Sequence, residues 1–219
     1  MLYYLENLLH ALDIASLQSA VLRLAAVFMC LTVHETCHGL AALALGDPTA
    51  KRMRRLSLNP LRHIDWLGLF MMFAAGFGWA KAVPVNPGYF KKPKQGMALT
   101  ALAGPVSNFL LALCLLAVGR GIYLYAPYTA GWETVFSFCV YTAAPLSVGL
   151  GLFNLLPIPP LDGSKVLAVL LPDRAYMTLM RYERYGMLVL LVLSWMGLTG
   201  SFISGAIFDV YSFLLDLFF

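Results

Sequence analysis

The chain has 219 residues, of which 60% are hydrophobic and only 12% are charged, and its formal net charge is +4. Its mean hydropathy of +0.76 lies well above that of a soluble domain of this length, so the composition excludes a soluble globular protein. It predicts an all-α polytopic membrane protein that forms a single domain over residues 1–219. The basic residues are expected to orient the chain and to contact lipid head groups, without a nucleic-acid partner.

Four uncharged or nearly uncharged stretches are long enough to cross about 30 Å of hydrocarbon as helices. They are Leu24–Leu45, Met97–Val118, Val135–Leu156 and Met187–Ile207. A fifth apolar stretch, Trp66–Ala80, is too short to cross in the same way. The sequence therefore predicts about four transmembrane helices and one shorter membrane segment.

Basic residues decide the expected orientation of these segments. Nine of them flank Trp66–Ala80 on its two sides, within Asp47–Asp65 and Lys81–Lys94. Cytoplasmic loops carry an excess of Lys and Arg, so both flanks are expected inside and Trp66–Ala80 is expected to be re-entrant. Thirteen of the 15 basic residues then lie inside, against Arg23 and Arg120 outside.

Two cytoplasmic segments are expected to be extended. Lys51–Leu58 alternates apolar and polar residues over short stretches, and Trp79–Pro87 contains two prolines that suit an edge strand. The sequence predicts that these segments form a small β-sheet near the cytoplasmic face. The edge of such a sheet can bind an extended peptide by strand addition.

The run His34-Glu35-Thr36-Cys37-His38 lies inside the first predicted span. Residues four apart on a helix share a face, so His34 and His38 can present two nitrogens to one metal ion, with Glu35 beside them as a general base. Ionisable residues cost roughly 2.5–3.5 kcal/mol within a membrane helix, which favours a functional role. The pattern is typical of a zinc hydrolase. Two solvated histidines on a soluble helix are the alternative, and the apolar flanks disfavour it.

A third ligand is expected where another span ends on the same side of the membrane. Val135–Leu156 leads into Pro157–Gly163, whose three prolines prevent a regular helix and whose glycine permits a sharp turn. Asp162 in this stretch is the candidate, because a catalytic zinc site commonly takes three protein ligands and leaves one position for water. An ordinary Asp-Gly turn is the alternative. His38 lies roughly 12 Å from the inner end of its span, so the site is expected nearer the cytoplasmic face.

Asn108 and Asn154 are two further polar residues within predicted spans. Their amides can bind a substrate backbone or stabilise the oxyanion that forms during attack. The alternative is a hydrogen bond that bridges neighbouring helices, a common role for a buried asparagine. His63 lies in a cytoplasmic segment, where a structural role is favoured over contact with metal or substrate.

Three motifs in this order resemble those of the site-2 protease family of intramembrane zinc metalloproteases. They are His34-Glu35-Thr36-Cys37-His38-Gly39, Gly104-Pro105-Val106-Ser107-Asn108 and Leu161-Asp162-Gly163. Shorter runs between Gly46 and Pro87 are similar to the short prokaryotic branch of that family, which lacks a PDZ domain. Trp66 departs from this pattern, since short-branch members often have proline there. The similarity covers roughly residues 31–171.

The resemblance implies a three-span catalytic core, about residues 24–171, and one Zn²⁺ per chain. It implies that the zinc ligands are His34, His38 and Asp162. It further implies that Glu35 is the catalytic base and that Asn108 and Asn154 line the substrate path. Substrates of that family are membrane-spanning proteins, cut within or near the bilayer in regulated intramembrane proteolysis.

Two other classes of function stay open at this point. A proteolytically inactive membrane relative would bind transmembrane partners without cutting them, and it would show in sequence only by loss of a ligand or of Glu35, all of which are present. A metal-binding transporter can bury the same residue types. Such a protein more naturally shows inverted repeats, and none is visible in this sequence.

Overall fold

A computed structural model of the chain describes residues 14–75, 78–195 and 198–219. In this part of the chain the structure is mostly helical. Its α-helices, in order, are α1 Ile14–Ala44, α2 Thr49–Arg52, α3 Trp66–Ala75, α4 Pro93–Tyr125, α5 Ala130–Ser137, α6 Ala144–Asn154, α7 Asp162–Ala168, α8 Asp173–Trp195 and α9 Leu198–Asp216. A π-helical stretch, Phe138–Ala143, joins α5 to α6. Short 3₁₀ turns lie at Pro60–Arg62 and Pro87–Tyr89.

Three helical segments of the described chain are long and apolar enough to cross a membrane, namely Leu17–Ala44, Pro93–Tyr125 and Ala130–Asn154. They contain most of the first three predicted spans. The prediction of a fourth span, Met187–Ile207, is not supported by the described part of the chain. Residues 196–197, which lie within this stretch, are outside that part.

Small side chains let the three membrane-capable segments approach closely. Ala26 of α1 and Ala112 of α4 are fully buried in one cluster with Ala143 and Ala144 at the start of α6. Helix association in lipid depends on close packing of this kind, because lipid tails are as apolar as the side chains. Helix α4 lies at the centre of the arrangement, in contact with α1, α6 and α7.

Pro145 follows the π-helical stretch and leaves one of its carbonyl groups without a backbone donor. Proline has no N–H, and in a π-helix residue 145 would bond to the carbonyl five residues earlier, which is that of Val140. This buried carbonyl instead accepts a hydrogen bond from the hydroxyl of Tyr211, at 2.6 Å. The bond satisfies the acceptor and ties α9 to the membrane core.

The residues that flank the short apolar stretch Trp66–Ala80 lie close together. Helix α3 has ten residues and is about 15 Å long, which is half the hydrocarbon thickness. Ile64 forms an isolated antiparallel bridge with Ala80. The N–H of Lys81 donates to the carbonyl of His63 at 2.9 Å. The two basic flanks of the segment are therefore held together.

The prediction of a small β-sheet is wrong for the part of the chain that the structure describes. The bridge between Ile64 and Ala80 lies outside any strand. Lys51–Leu58 begins inside the short helix α2, and Arg54 has a left-handed backbone with a φ of 54°. A residue in this conformation interrupts an extended strand.

Beyond the bridge at Ala80, three side chains bond to the backbone of Trp79–Pro87. The side chains that do so belong to Glu35, Asp47 and Arg55. They bond to the backbone of residues 83, 86 and 81, at 2.8, 2.6 and 2.6 Å respectively. These three side chains come from separate parts of the chain, so they cannot supply the regular ladder that defines a sheet.

Asp47 is fully buried just after α1 and connects it to two other segments. Its carboxylate accepts hydrogen bonds from the N–H and hydroxyl of Thr49 and from the N–H of Asn86. Burial opposes ionisation, but these hydrogen bonds and the nearby Arg52 outweigh it and hold the pKa of Asp47 below its ordinary value. A lowered pKa stabilises the fold above the pKa of the unfolded chain, and this contribution is lost as pH falls through the folded pKa.

We expect Asp47→Asn to lower the free energy of unfolding by about 1–3 kcal/mol at neutral pH, because it removes the charge and weakens the three hydrogen bonds. The difference from the wild type should shrink once pH falls below about 4. Denaturant unfolding in detergent, followed from neutral to acidic pH, measures both effects. The exposed Asp216→Asn serves as the control. A stability difference that does not depend on pH would contradict this account.

Candidate metal centre

His34 and His38 lie one turn apart on the same face of α1, as their spacing requires. Their Nε2 atoms are 3.0 Å apart. The two rings pack edge to face, with centroids separated by 4.5 Å. Both side chains are buried, so two imidazole nitrogens converge at a point that is shielded from solvent.

Asp162 is the first residue of α7, directly after the proline-rich turn. Its Oδ2 lies 3.1 Å from Nε2 of both His34 and His38. Gly163 makes this position possible, because a Cβ there would lie 2.0 Å from the carbonyl oxygen of Leu155 at the end of α6. The glycine was expected to permit a sharp turn, and the structure shows instead that it permits close contact between two backbones.

The three side chains fit one zinc ion. Zinc ligands that lie about 2.0–2.1 Å from the metal in a tetrahedral site are about 3.3 Å from one another. The three ligand atoms of His34, His38 and Asp162 are 3.0–3.1 Å apart, which is close to that value. All three residues are buried and form a candidate metal-binding group. Two imidazole nitrogens and one carboxylate oxygen are also a donor set that zinc accepts.

A backbone carbonyl of α4 sets the tautomer of His38. The Nδ1–H of His38 donates to the carbonyl oxygen of Thr100 at 2.7 Å, so Nε2 keeps its lone pair for a metal. The Nδ1 of His34 is buried and finds no hydrogen-bond partner among the described residues. Sequence reasoning missed the contribution of Thr100, because a carbonyl is present at every residue and leaves no mark in the side-chain pattern.

Gly104 of α4 lies against both imidazoles. A Cβ at this position would be 2.4 Å from Cε1 of His38 and 2.6 Å from Cε1 of His34, closer than real Cβ contacts. Glycine is therefore required for α4 to pack on the two histidines. The sequence analysis used Gly104 as part of a motif and missed this contact. The contact could have been suspected from the sequence, because Gly104 stands directly before Pro105 inside an otherwise regular span.

The carboxyl group of Asp162 favours its charged form. Burial disfavours the charge, but when the imidazoles of His34 and His38 are protonated, their Nε2–H groups donate to the carboxylate and hold the pKa of Asp162 well below its usual range. Lys165, one turn further along α7, places its Nζ 4.0 Å from Oδ1 of Asp162. An ionised carboxylate of this kind is ready to bind a cation.

The ligand group and Glu35 line one cavity of about 460 Å³. Glu35 is buried, and one oxygen of its carboxylate accepts a hydrogen bond from the N–H of Val83 at 2.8 Å. This bond holds the side chain against the segment that follows Trp66–Ala80. A carboxylate oriented beside a metal site is the arrangement that a general base requires.

The other residues singled out from the sequence occupy different positions. Asn154 lines the cavity, and its amide donates to the carbonyl of Leu150 at 3.0 Å. Asn108 is fully buried, is not among the described residues that line the cavity, and has no side-chain partner among them. His63 is buried outside the ligand group, with its Nε2 2.7 Å from the carbonyl oxygen of Ser57. The contact agrees with the structural role expected for His63.

Known proteins resemble this chain over most of its length. A family model described as peptidase family M50 matches residues 121–197. The chain is 41% identical over 167 residues to a Bacillus subtilis protein named as zinc metalloprotease YwhC, and the match covers 74% of each chain. It is 32% identical over 205 residues to Rip2 of Mycobacterium tuberculosis, which is also named as a zinc metalloprotease. This match covers 90% of this chain and 74% of Rip2. No solved structure matches the chain.

A second Rip2, from Mycolicibacterium smegmatis, is 30% identical over 178 residues, covering 79% of this chain and 66% of that protein. The similarity to YwhC is high enough, over enough of both chains, to establish common family membership. No PDZ domain is found among the residues that the structure describes. Together with the three membrane-capable helices, these comparisons make the protein a multi-pass membrane zinc metalloprotease. The chain belongs to peptidase family M50, the site-2 protease family.

Proposed function

We propose that this enzyme hydrolyses peptide bonds of transmembrane proteins within or near the bilayer, as in regulated intramembrane proteolysis. One observation carries the proposal: three metal-ligand atoms from α1 and α7 lie within 3.1 Å of one another. Glu35 lines the same buried cavity. Helix α1, which carries His34, Glu35 and His38, is itself long and apolar enough to cross a membrane.

His34, His38 and Asp162 are the residues that would hold one Zn²⁺ per chain. When bound, zinc supplies a Lewis acid that acidifies water and polarises a carbonyl group. The Thr100 carbonyl orients His38, and Gly163 holds Asp162 against the end of α6. Partners that orient ligands in this way raise metal affinity, because the ligand side chains lose less freedom on binding.

Glu35 is the proposed general base. It takes a proton from the attacking water and later passes it to the leaving amine. The hydrogen bond from Val83 to one carboxylate oxygen orients the side chain and leaves the other oxygen for proton transfer. Because Val83 also lines the cavity, a substrate that contacts this segment is brought directly beside Glu35.

Unwinding of the substrate is a necessary step, because a transmembrane helix holds its carbonyl groups in hydrogen bonds four residues apart. In the described chain, the carbonyl of Val83 and the N–H of Val85 have no hydrogen-bond partner, and both residues line the cavity. An extended peptide can bond to them as an added strand does, even though the predicted sheet is absent. We propose that Asn154 contacts the same peptide. Asn108 stays a predicted substrate contact.

We propose that the metal site lies nearer the cytoplasmic face. The basic residues on both sides of Trp66–Ala80 favour the cytoplasm, and the structure joins those two flanks beside the segment that carries Val83. The proposed catalytic unit is one domain, residues 1–219, with a core over about residues 24–171.

Asp162→Ala tests the proposed function in purified protein reconstituted into liposomes. The variant removes one of three ligands, so we expect bound zinc to fall from one per chain to less than about a tenth, and cleavage of a fused transmembrane substrate to be lost with it. Asp173→Ala is the matched control, because Asp173 is an exposed carboxylate that pairs with Lys94. It should leave both the metal content and the cleavage rate unchanged.

Three results would count against the proposal. Zinc retained by Asp162→Ala would remove Asp162 from the ligand set. Wild-type protein that binds zinc and a transmembrane partner without cutting it would favour the inactive relative. Zinc uptake into sealed liposomes, without proteolysis, would favour the transporter.

A further inference from the structure

The side chain of Arg55 is bound to the backbone segment that leads into Val83. Its Nη2 donates to the carbonyl oxygens of Lys81 and Ala82, at 2.6 and 3.3 Å. Hydrogen bonds from a charged donor are stronger than those between neutral groups. Among the described residues Arg55 forms no ion pair with a carboxylate, so its guanidinium group serves this backbone and not an acidic side chain.

Arg55 and Glu35 bind the two ends of one peptide group. The carbonyl of Ala82 and the N–H of Val83 belong to the same planar unit, which moves as a rigid body. Arg55 donates to this carbonyl, and the N–H donates to Oε2 of Glu35 at 2.8 Å. A change in the position of the guanidinium group is therefore transmitted to the Glu35 carboxylate through a single rigid unit.

The loop that carries Arg55 is itself fixed to α1. The hydroxyl of Thr36 on α1 donates to the carbonyl oxygen of Ser57 at 3.0 Å. Leu56 packs on the same helix, because a Cβ at Gly39 would lie only 2.4 Å from Cδ2 of Leu56. Arg55 therefore reaches the next segment from a loop that is held on the helix of the proposed catalytic residues.

These contacts form a closed ring. Thr36, which holds the loop of Arg55, is the next residue after Glu35. The ring runs from α1 through the loop and the guanidinium group to residues 81–83, and it returns to α1 at the Glu35 carboxylate. Each member limits the movement of the others, so the ring fixes the direction in which Glu35 points.

The rate of hydrolysis depends on that direction. A general base must lie within hydrogen-bond reach of the proton that it takes, and a displacement of about 1 Å can cost about 100-fold in rate. Ala82, Val83 and Val85 also line the metal cavity, where the substrate is proposed to bind. The place of this segment therefore bears on both the base and the peptide.

We infer that Arg55 is a positioning residue for peptide hydrolysis. It holds residues 81–83 where the N–H of Val83 orients Glu35. The inference rests on the proposed proteolytic function and adds to it a residue that is not among the described lining of the metal cavity. Arg55 acts on the chemistry only through the peptide group that it shares with Glu35.

Arg55→Met tests the inference in proteoliposomes, because it keeps most of the aliphatic stem and removes the donors. We expect kcat for a fused transmembrane substrate to fall by about 10–100-fold. Zinc content should stay at one per chain, since Arg55 bonds to none of the proposed ligands. Arg55→Lys should recover part of the rate, because its ammonium group can donate to the same carbonyls but is one bond shorter. Arg54→Met is the matched control, because Arg54 is exposed on the same loop and the charge loss is equal.

A double-mutant cycle with Glu35→Gln separates positioning of the base from a general structural role. If Arg55 acts through Glu35, adding Arg55→Met to Glu35→Gln should lower the remaining kcat by no more than about twofold. A residue that only supports the fold would cost the same factor in both backgrounds.

Hydrogen exchange of backbone amides gives a measurement that does not need cleavage. In Arg55→Met the amides of residues 79–87 should exchange faster than in the wild type, because the ring that holds them is open. The amides of α1 should keep their protection, and Arg54→Met should exchange as the wild type does.

The outcomes distinguish this inference from the proposed function. If the wild type cuts no substrate, the proteolytic proposal fails, and faster exchange of residues 79–87 in Arg55→Met still supports the ring. If the wild type cuts its substrate and Arg55→Met cuts it at the same rate, the inference is overturned. Loss of zinc in Arg55→Met, or an equal loss of kcat with and without Glu35, would also overturn it.

Discussion

Replacing Glu35 by glutamine is expected to reduce cleavage of a transmembrane substrate by about 10²–10⁴-fold, while zinc remains bound. Glutamine cannot take up the proton of the attacking water. Its side-chain oxygen can still accept the N–H of Val83, as Glu35 does at 2.8 Å, so the local structure should persist. The three proposed ligands are untouched, and zinc content should stay at one per chain.

The measurement is the initial cleavage rate in proteoliposomes, together with zinc content determined on the same preparation. Glu133→Gln is the control, because Glu133 is exposed at the start of α5 and lies outside the metal cavity. Cleavage by Glu35→Gln at the wild-type rate would remove Glu35 from the mechanism. Loss of zinc together with cleavage would instead assign Glu35 a part in metal binding.

Gly104→Ala is expected to weaken zinc binding and, as a result, to reduce cleavage. The added methyl would lie 2.4 Å from His38 and 2.6 Å from His34, so at least one imidazole or the whole of α4 must shift. Disturbing a partner of a metal ligand typically costs about 10–100-fold in metal affinity, and displacing both ligands should cost at least as much. Cleavage should fall in parallel, and excess zinc should restore part of it.

Zinc affinity, measured by competition with a chelator, checks this expectation directly. Gly121→Ala supplies the matched control on the same helix, since a Cβ at position 121 meets nothing within 4 Å. Alanine is the better helix former, so this control should be as stable as the wild type or more stable. Wild-type zinc affinity in Gly104→Ala would show that the packing of α4 on the histidines is not required.

Local rules explain why the sequence pointed to the three residues that the structure brings together. His34 and His38 are four residues apart in an apolar run, and a helix places such residues on one face. Asp162 follows three prolines that end a helix, which marked it as a candidate ligand. It was expected on irregular backbone, but the structure makes it the first residue of α7. The bridge between Ile64 and Ala80 shows that the two basic flanks of Trp66–Ala80 lie close together, and the re-entrant course of this stretch stays a prediction.

The arrangement of Trp79–Pro87 could not be predicted in the same way. Its two prolines suited an edge strand, but side chains from distant parts of the sequence bond to this backbone. The outcome depends on partners that a local pattern does not contain. The predicted fourth span, Met187–Ile207, is not supported by the described residues.

The amino-acid sequence by itself determined the kind of protein, a membrane metalloprotease, and which side chains are available to bind the metal. Only the tertiary structure decided what surrounds them. It placed Gly104 and the carbonyl of Thr100 against the histidines, and it placed Asn154 in the cavity but Asn108 outside its lining. The physical reason is that helical periodicity sets neighbours three or four residues apart, whereas contacts between helices depend on how whole faces pack.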